Sequence, residues 1–108
     1  MDDASQTSSN LHHLAIEAAL DSEWEQALKL NRQIIRNEPN CVDALNRLAR
    51  AYFELGNISQ AKKYYSEALL LDPYNPIASK NLKIIQAFKN VNGYKPVNNH
   101  KMRISPSL

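Results

Sequence analysis

The residues best suited to bind a metal or to act on a substrate are two adjacent histidines, a nearby glutamate and a single cysteine. His13 and Glu17 lie four residues apart, so their side chains can meet across one turn of a helix. A metal site needs a third ligand at a fixed spacing, and neither the His12-His13 pair nor an H-E-x-x-H motif supplies it. We therefore interpret these histidines as structural or surface residues.

Cys41 lies at a predicted helix start, a position that can activate a thiol. No His, Asp or second Cys stands at motif spacing from it, so we favour a packing role. As the single cysteine, it excludes an internal disulfide and a zinc knuckle. The chain has no G-x-S-x-G motif, and its two glycines cannot build a phosphate-binding loop. The sequence thus predicts neither an enzyme nor a cofactor.

The charge of the 108-residue chain is close to neutral but unevenly distributed. Residues 1–88 contain nine Lys or Arg against all eleven acids, whereas residues 89–108 contain four cations and no acid. Four cations with one aromatic residue, Tyr94, do not favour a nucleic-acid partner. The start of the chain lacks the basic and apolar segments of a signal peptide, and no apolar run approaches the ~18 residues of a membrane span. We expect a cytoplasmic protein with no membrane partner.

The elements that must position any site are helices arranged in a repeat. Between residues 42 and 75, apolar residues recur at helical spacing in two stretches separated by Gly56-Asn57. Moving the frame back by one full unit, from 42–75 to 8–41, reproduces this pattern. The matching pairs are Leu11 and Leu45, Leu14 and Leu48, Ala15 and Ala49, Ala27 and Ala61, and Pro39 and Pro73.

The second copy carries a spaced set of residues: Leu45, Leu48, Ala49, Tyr52, Ala61, Tyr65, Ala68 and Pro73. This set resembles the tetratricopeptide repeat. Leu45 stands where the family often has Trp, and the first copy has Ala18 and Asn31 in aromatic slots. The resemblance covers about residues 8–89. It implies an all-α fold, a right-handed superhelical stack of two antiparallel helix pairs plus a C-terminal capping helix, in which the first helices line a concave groove.

Domain boundaries follow from the repeat and from composition. We expect residues 1–8 to be disordered and residues 91–108 to be a flexible basic tail or linker. Residues 9–90 form the repeat domain, with repeats at 8–41 and 42–75 and the capping helix at 76–90. Four helix starts are predicted from capping residues: a Ser22–Glu25 capping box, Asn40, an Asn57–Gln60 pair, and Asn75 before Pro76.

The family geometry implies a groove that binds peptides. In it, cationic side chains would bind carboxylates, and amides would bind an extended peptide backbone. An apolar line on the last helix would run beside these polar groups. The predicted groove residues are Asn46, Arg47, Arg50, Phe53, Lys80, Asn81, Ile84 and Phe88.

Two alternatives limit the groove interpretation. Asp43–Arg47 and Arg50–Glu54 can instead be i,i+4 ion pairs on a solvated face. Some family members bind a terminal carboxylate in a clamp of Lys, Asn and Arg, but this sequence agrees with that pattern only at Asn81, so we do not predict a clamp.

Together these features predict a non-catalytic protein-interaction module. Its groove would bind a short acidic or apolar-acidic segment of a partner protein. The alternative is a structural role, in which the module self-associates, for example as a homodimer, or serves as a scaffold unit of a longer protein.

Overall fold

A computed structural model describes the backbone of residues 8–92 and the side chains as far as Ala87. This part of the chain forms five helices and contains no strand. Each helix packs on the next one along the chain, as expected for stacked helix pairs. The predicted all-α stack is confirmed. The helices are α1 (Ser8–Leu20), α2 (Trp24–Asn37), α3 (Val42–Glu54), α4 (Ile58–Leu71) and α5 (Pro76–Asn92).

The ends of the domain differ slightly from the prediction. Helix α1 begins at Ser8, within the segment expected to be disordered, and α5 continues to Asn92, two residues past the predicted end of the capping helix. The predictions for residues 1–7 and 93–108 lie outside the described residues. In the described part of the chain, none of the helices combines the length and the apolar character that crossing a membrane requires.

The turn inside each helix pair has the same backbone conformation. Gly56 ends α3 with φ 89°, and Ser22, its equivalent in the first repeat, ends α1 with φ 58°. The hydrogen bonds correspond as well, because Glu23 N–H donates to the Ala18 carbonyl at 2.8 Å and Asn57 N–H donates to the Tyr52 carbonyl at 2.8 Å. Such a left-handed residue satisfies the last carbonyls of a helix, and glycine adopts it most easily.

This turn explains why the predicted capping box is wrong. Ser22 belongs to the left-handed turn that ends α1, so its hydroxyl is not placed to cap α2. The residue at the N-cap is Glu23, which makes no side-chain cap bond. In the second repeat the equivalent residue is Asn57, whose side chain accepts from Gln60 N–H at 3.2 Å, as predicted.

Of the caps predicted for the two remaining helix starts, one is confirmed and the other is wrong. Asn75 Oδ1 accepts from Ala78 N–H at 2.9 Å and α5 begins at Pro76, so this cap is confirmed. The predicted cap at Asn40 is wrong, because the N-cap of α3 is Cys41 and no side chain caps it. Cys41 is the equivalent of Asn75 one repeat earlier, and its thiol is a weak acceptor.

Small residues let the helices approach closely. Ala27 and Ala61, at equivalent positions of α2 and α4, are 1% and 0% exposed and belong to the core. The largest core cluster joins α3, α4 and α5. Leu14 is 38% exposed, whereas its equivalent in the second repeat, Leu48, is 1% exposed. The buried members of the largest cluster are Leu45, Ala49, Phe53, Ala61, Tyr65, Ala68, Ala78 and Ile85.

Candidate functional site

A pocket of about 500 Å³ lies between α3 and α5. Helix α4 contributes one side chain, that of Tyr65, which packs between the other two helices in the core. The pocket therefore depends on the full stack of the second repeat and the following helix. Its lining residues are Asp43, Asn46, Arg47, Arg50, Tyr65, Pro76, Ile77, Lys80 and Asn81.

The structure brings together five of the eight residues predicted for the groove. These are the three cations and the two amides, namely Asn46, Arg47, Arg50, Lys80 and Asn81. Phe53 does not line the pocket. It is 6% exposed and packs in the core, because its side chain points into the junction of α3, α4 and α5.

The predicted apolar line on the last helix is only partly present at the pocket. Ile77 lines the pocket and is 50% exposed. Ile84 is half-buried and lies outside the lining residues. The Phe88 side chain lies outside the described residues. Among the described residues, neither Phe53 nor Ile84 adds to the apolar part of the pocket.

Arg50 has two contacts besides the pocket. Its Nε donates to Glu54 Oε2 at 2.9 Å, which confirms the i,i+4 pair considered from the sequence. Its guanidinium also lies over the Trp24 ring, 5.1 Å from the ring centroid. These contacts fix the side chain in one place, so its charge at the pocket is held in advance of any ligand.

Arg47 is held from the opposite side by the first helix pair. Its Nε donates to Asn31 Oδ1 at 3.0 Å, and its Nη2 donates to His12 Nδ1 at 2.7 Å. Asn31 is fully buried and is itself fixed by donation from its Nδ2 to the Ala27 carbonyl at 2.8 Å. Burial lowers the pKa of Arg47 from its ordinary value. The guanidinium still carries its charge at neutral pH, because an arginine is not deprotonated in proteins.

The contact with Arg47 also determines the tautomer of His12. A guanidinium offers only donors, so Nδ1 of His12 must accept and the ring proton lies on Nε2. That Nε2–H donates to Glu38 Oε1 at 3.2 Å. Ser8 donates to the other oxygen of the same carboxylate. These hydrogen bonds, from Ser8 first and then from His12, lower the pKa of Glu38.

Three buried side-chain atoms have no hydrogen-bond partner within residues 8–87, and all three belong to residues that line the pocket. They are Asn46 Oδ1, Tyr65 OH and Asn81 Oδ1. The three side chains are 4%, 1% and 5% exposed. We call these three residues the polar floor. Burial raises the pKa of Tyr65 well above its ordinary value, so the hydroxyl stays protonated and can both donate and accept.

The amide nitrogens of the polar floor are already used within the protein. Asn46 Nδ2 donates to Asn75 Oδ1 at 3.0 Å, and Asn81 Nδ2 donates to the Ile77 carbonyl at 2.9 Å. Their oxygens are therefore the groups left without a partner. A buried polar atom without a partner costs about 1–3 kcal/mol, so the polar floor is suited to a ligand that donates hydrogen bonds.

The repeat period relates the polar floor to the arginine contacts of the first pair. One repeat later, the positions of His12, Asn31 and Arg47 are occupied by Asn46, Tyr65 and Asn81, respectively. In the first set, Arg47 bridges the other two residues. In the second set the shorter Asn81 occupies the arginine position, and one polar atom of each residue is unpartnered. The pocket thus corresponds to the place that the Arg47 guanidinium fills, one repeat earlier, beside His12 and Asn31.

Tyr65 was not predicted as a site residue, because its position follows the apolar period of α4. Comparing equivalent positions of the two repeats would have identified it, since Asn31 at the same position is polar. His13 and Glu17 do pair, at 3.4 Å, but both side chains are mostly exposed.

Comparison with known proteins agrees with the repeat architecture. The family model described as the tetratricopeptide repeat matches residues 42–75, which comprise α3, α4 and the turn before α5. This match confirms the resemblance to the tetratricopeptide repeat that the sequence predicts for residues 42–75. Repeats of this family are typically non-catalytic modules for protein–protein interaction or scaffolding.

The chain is also similar to a protein called uncharacterized protein ycf37 from Pyropia yezoensis. The two are 35% identical over 68 residues, which is 63% of this chain and 34% of that relative. The chain therefore spans about a third of the length of the relative that it matches.

Proposed function

We propose that the pocket between α3 and α5 binds a short acidic segment of a partner protein in an extended conformation. The observation that carries the proposal is that the residues lining one pocket include three cations against one carboxylate, Asp43, and three residues that each have a buried polar atom with no partner within residues 8–87. Cations alone are common on solvated surfaces. The polar floor distinguishes this site, because one polar atom of each of its residues is buried without a partner in the part of the chain that the structure describes.

Peptide main chain matches the polar floor. Its N–H groups can donate to Asn46 Oδ1 and Asn81 Oδ1, and a carbonyl can accept from the Tyr65 hydroxyl. A ligand ammonium or guanidinium could also donate, but Arg47, Arg50 and Lys80 would repel it. A neutral donor with carboxylates beside it fits both the floor and the surrounding charge.

The size of the pocket limits what it takes from a partner. A volume of about 500 Å³ lies within the usual range of ligand pockets and accommodates a few residues rather than a folded surface. Ile77, half-exposed at the edge, offers contact to an apolar side chain next to the acidic one. The preferred ligand is therefore a short stretch with one or two acidic residues and an adjacent apolar residue.

A peptide selection tests this function. The purified chain would be used to select binders from a random peptide display library. Fluorescence anisotropy would then measure the affinity of the selected peptides (the winners), synthesised with a fluorescent label. We expect acidic winners, and an affinity loss of about tenfold or more in Lys80→Ala, since a charge-assisted hydrogen bond contributes about 1.5–3 kcal/mol.

Lys83→Ala is the matched control, because Lys83 is an exposed cation on the same helix but does not line the pocket. The two variants have the same net charge. Equal losses in both would show that only bulk charge matters, and winners without acidic residues would contradict the proposed ligand. Asn81→Leu, which keeps the side-chain volume but removes the acceptor, should also weaken binding.

Self-association is a second candidate, favoured by apolar side chains exposed near the end of α4. Leu70 is 81% exposed and Tyr74 is 90% exposed. Exposed apolar groups of this kind can belong to a contact between copies. Light scattering across a range of protein concentrations would show a rising mass for the wild type and a constant mass for Leu70→Ser if this surface assembles the protein.

A further inference from the structure

Three side chains with different ligand atoms meet where α1 contacts the turn between α2 and α3. Three atoms all lie within 4.8 Å of one another: a ring nitrogen of His12, a carboxylate oxygen of Glu38 and the sulfur of Cys41. All three residues are half-buried. The Cys41 N–H donates to the Glu38 carbonyl at 3.1 Å, so the turn holds two of the three residues at a fixed separation.

The chemistry of this group matches zinc. Zn²⁺ binds nitrogen, oxygen and thiolate sulfur in tetrahedral geometry, whereas magnesium and calcium prefer oxygen alone. Two ligand atoms about 2.0 Å from a tetrahedral metal are about 3.3 Å apart. His12 Nε2 and Glu38 Oε1 are 3.2 Å apart, close to that value.

We propose that His12, Glu38 and Cys41 form a Zn²⁺ site, with water as the fourth ligand. Cys41 binds as the thiolate and releases its proton to solvent. Glu38 binds as the carboxylate, the ordinary form of a glutamate side chain at neutral pH. This site is separate from the proposed peptide pocket, and its existence does not depend on that function.

The metal competes with Arg47 for His12. With Arg47 donating to Nδ1, the Nε2 of His12 carries the ring proton and cannot bind a metal. Zinc at Nε2 moves that proton to Nδ1, which then has no lone pair for the guanidinium. The charge of the ion also repels Arg47. Zinc binding and the Arg47–His12 hydrogen bond therefore exclude each other, and replacing Arg47 should strengthen metal binding.

Titration with Co²⁺ alone tests the site. Co²⁺ replaces zinc and, when bound by a thiolate, gives a sulfur-to-metal charge-transfer band in the near ultraviolet. The reduced, chelator-treated full chain should show this band with one equivalent of Co²⁺, and Zn²⁺ should abolish it. Cys41→Ser should lose the band. His12→Ala and Glu38→Gln should each weaken binding about tenfold or more.

Two variants provide the decisive comparison. His13→Ala removes the neighbouring histidine, whose side chain is 69% exposed and pairs with Glu17, so it should leave the affinity unchanged. Arg47→Leu should bind Co²⁺ more tightly than the wild type. We expect a change of about tenfold, because groups that hydrogen-bond a metal-ligating histidine typically change the metal affinity by at least this factor.

The proposal is overturned if the wild type shows no charge-transfer band, or if His13→Ala loses as much affinity as His12→Ala. If Arg47→Leu binds Co²⁺ with unchanged affinity, the metal and Arg47 do not compete for His12. Circular dichroism of each variant checks folding. Glu38→Gln keeps the size of its side chain, so it tests the site even where His12→Ala fails to fold.

Discussion

Asn31 and Tyr65 occupy the same position in successive helix pairs, yet within residues 8–87 only Asn31 has a hydrogen-bond partner for its polar group. Asn31 Oδ1 accepts from Arg47 Nε at 3.0 Å, whereas the Tyr65 hydroxyl is buried without a partner among these residues. The difference arises because position 47 is an arginine and position 81, its equivalent, is an asparagine too short to make the same bridge. The pocket between α3 and α5 lies where the two repeats differ in this way.

Tyr65→Phe should raise the free energy of unfolding by about 1 kcal/mol, because it removes a buried hydroxyl that has no partner in the described part of the chain. The same change should weaken binding of the selected peptide. Urea denaturation and anisotropy measure the two effects. A clear loss of stability in the peptide-free protein, on the order of 1 kcal/mol or more, would mean that the hydroxyl has a partner within the fold.

Stability should fall at alkaline pH, with Tyr65 as a main cause. Burial raises the pKa of this phenol in the folded protein, while in the unfolded chain it titrates near 10. The neutral form is favoured by folding, so this contribution is fully present below about pH 10 and is lost as the pH rises further. Urea midpoints measured from neutral pH to above 10 should decline less steeply in Tyr65→Phe.

Tyr74→Phe is the control for that experiment, because the Tyr74 side chain is 90% exposed and stays in water when the chain folds. If it flattened the alkaline decline as much as Tyr65→Phe, the decline would not be due to the buried phenol.

Ser22→Gly should stabilise the protein by about 1 kcal/mol, because glycine adopts a left-handed conformation without steric cost. Ser22 has φ 58°, a conformation that costs a non-glycine residue about 1–2 kcal/mol. Gly56→Ala should destabilise by a similar amount, and steric contact adds nothing because a Cβ there meets no atom within 4 Å. Thermal melts of both variants test this. Opposite signs are expected, and a destabilising Ser22→Gly would show that the serine hydroxyl makes a contact important to the turn.

Ala61→Leu should cost about 1–3 kcal/mol by overpacking the contact between α3 and α4. Ala61 is fully buried, so the added atoms have no space. Lys62→Leu, at the exposed neighbouring position, should change stability by less than about 0.5 kcal/mol. A neutral Ala61→Leu would mean that the helices can move apart without loss.

Much of the fold could be predicted from the sequence, since the apolar period and the internal repeat both indicate five helices and their order. The helix starts were predicted correctly where an amide occupies the cap, at Asn57 and Asn75. They were wrong where the first repeat has a different residue at the equivalent position. Ser22 was interpreted as a cap, although its equivalent, Gly56, indicates a left-handed turn.

The candidate site was only partly predictable. The lining cations and amides follow from helical phase, because residues on one face of α3 and α5 must point the same way. Phe53 was assigned to the groove, but a large apolar side chain near the edge of a helix face lowers its free energy by turning into the core. The group of His12, Glu38 and Cys41 depends on contacts between α1 and a turn that lies beyond the whole of α2 in the chain, which local spacing does not reveal.

The bridge made by Arg47 has a consequence for engineering. In the first junction, the Arg47 side chain occupies the position that is open as a pocket in the second junction. Asn81→Arg would place the same group one repeat later, where it could bond Asn46 and Tyr65 as Arg47 bonds His12 and Asn31. That single change would fill the pocket with a side chain, and it would separate the stability of the stack from the proposed binding of a peptide.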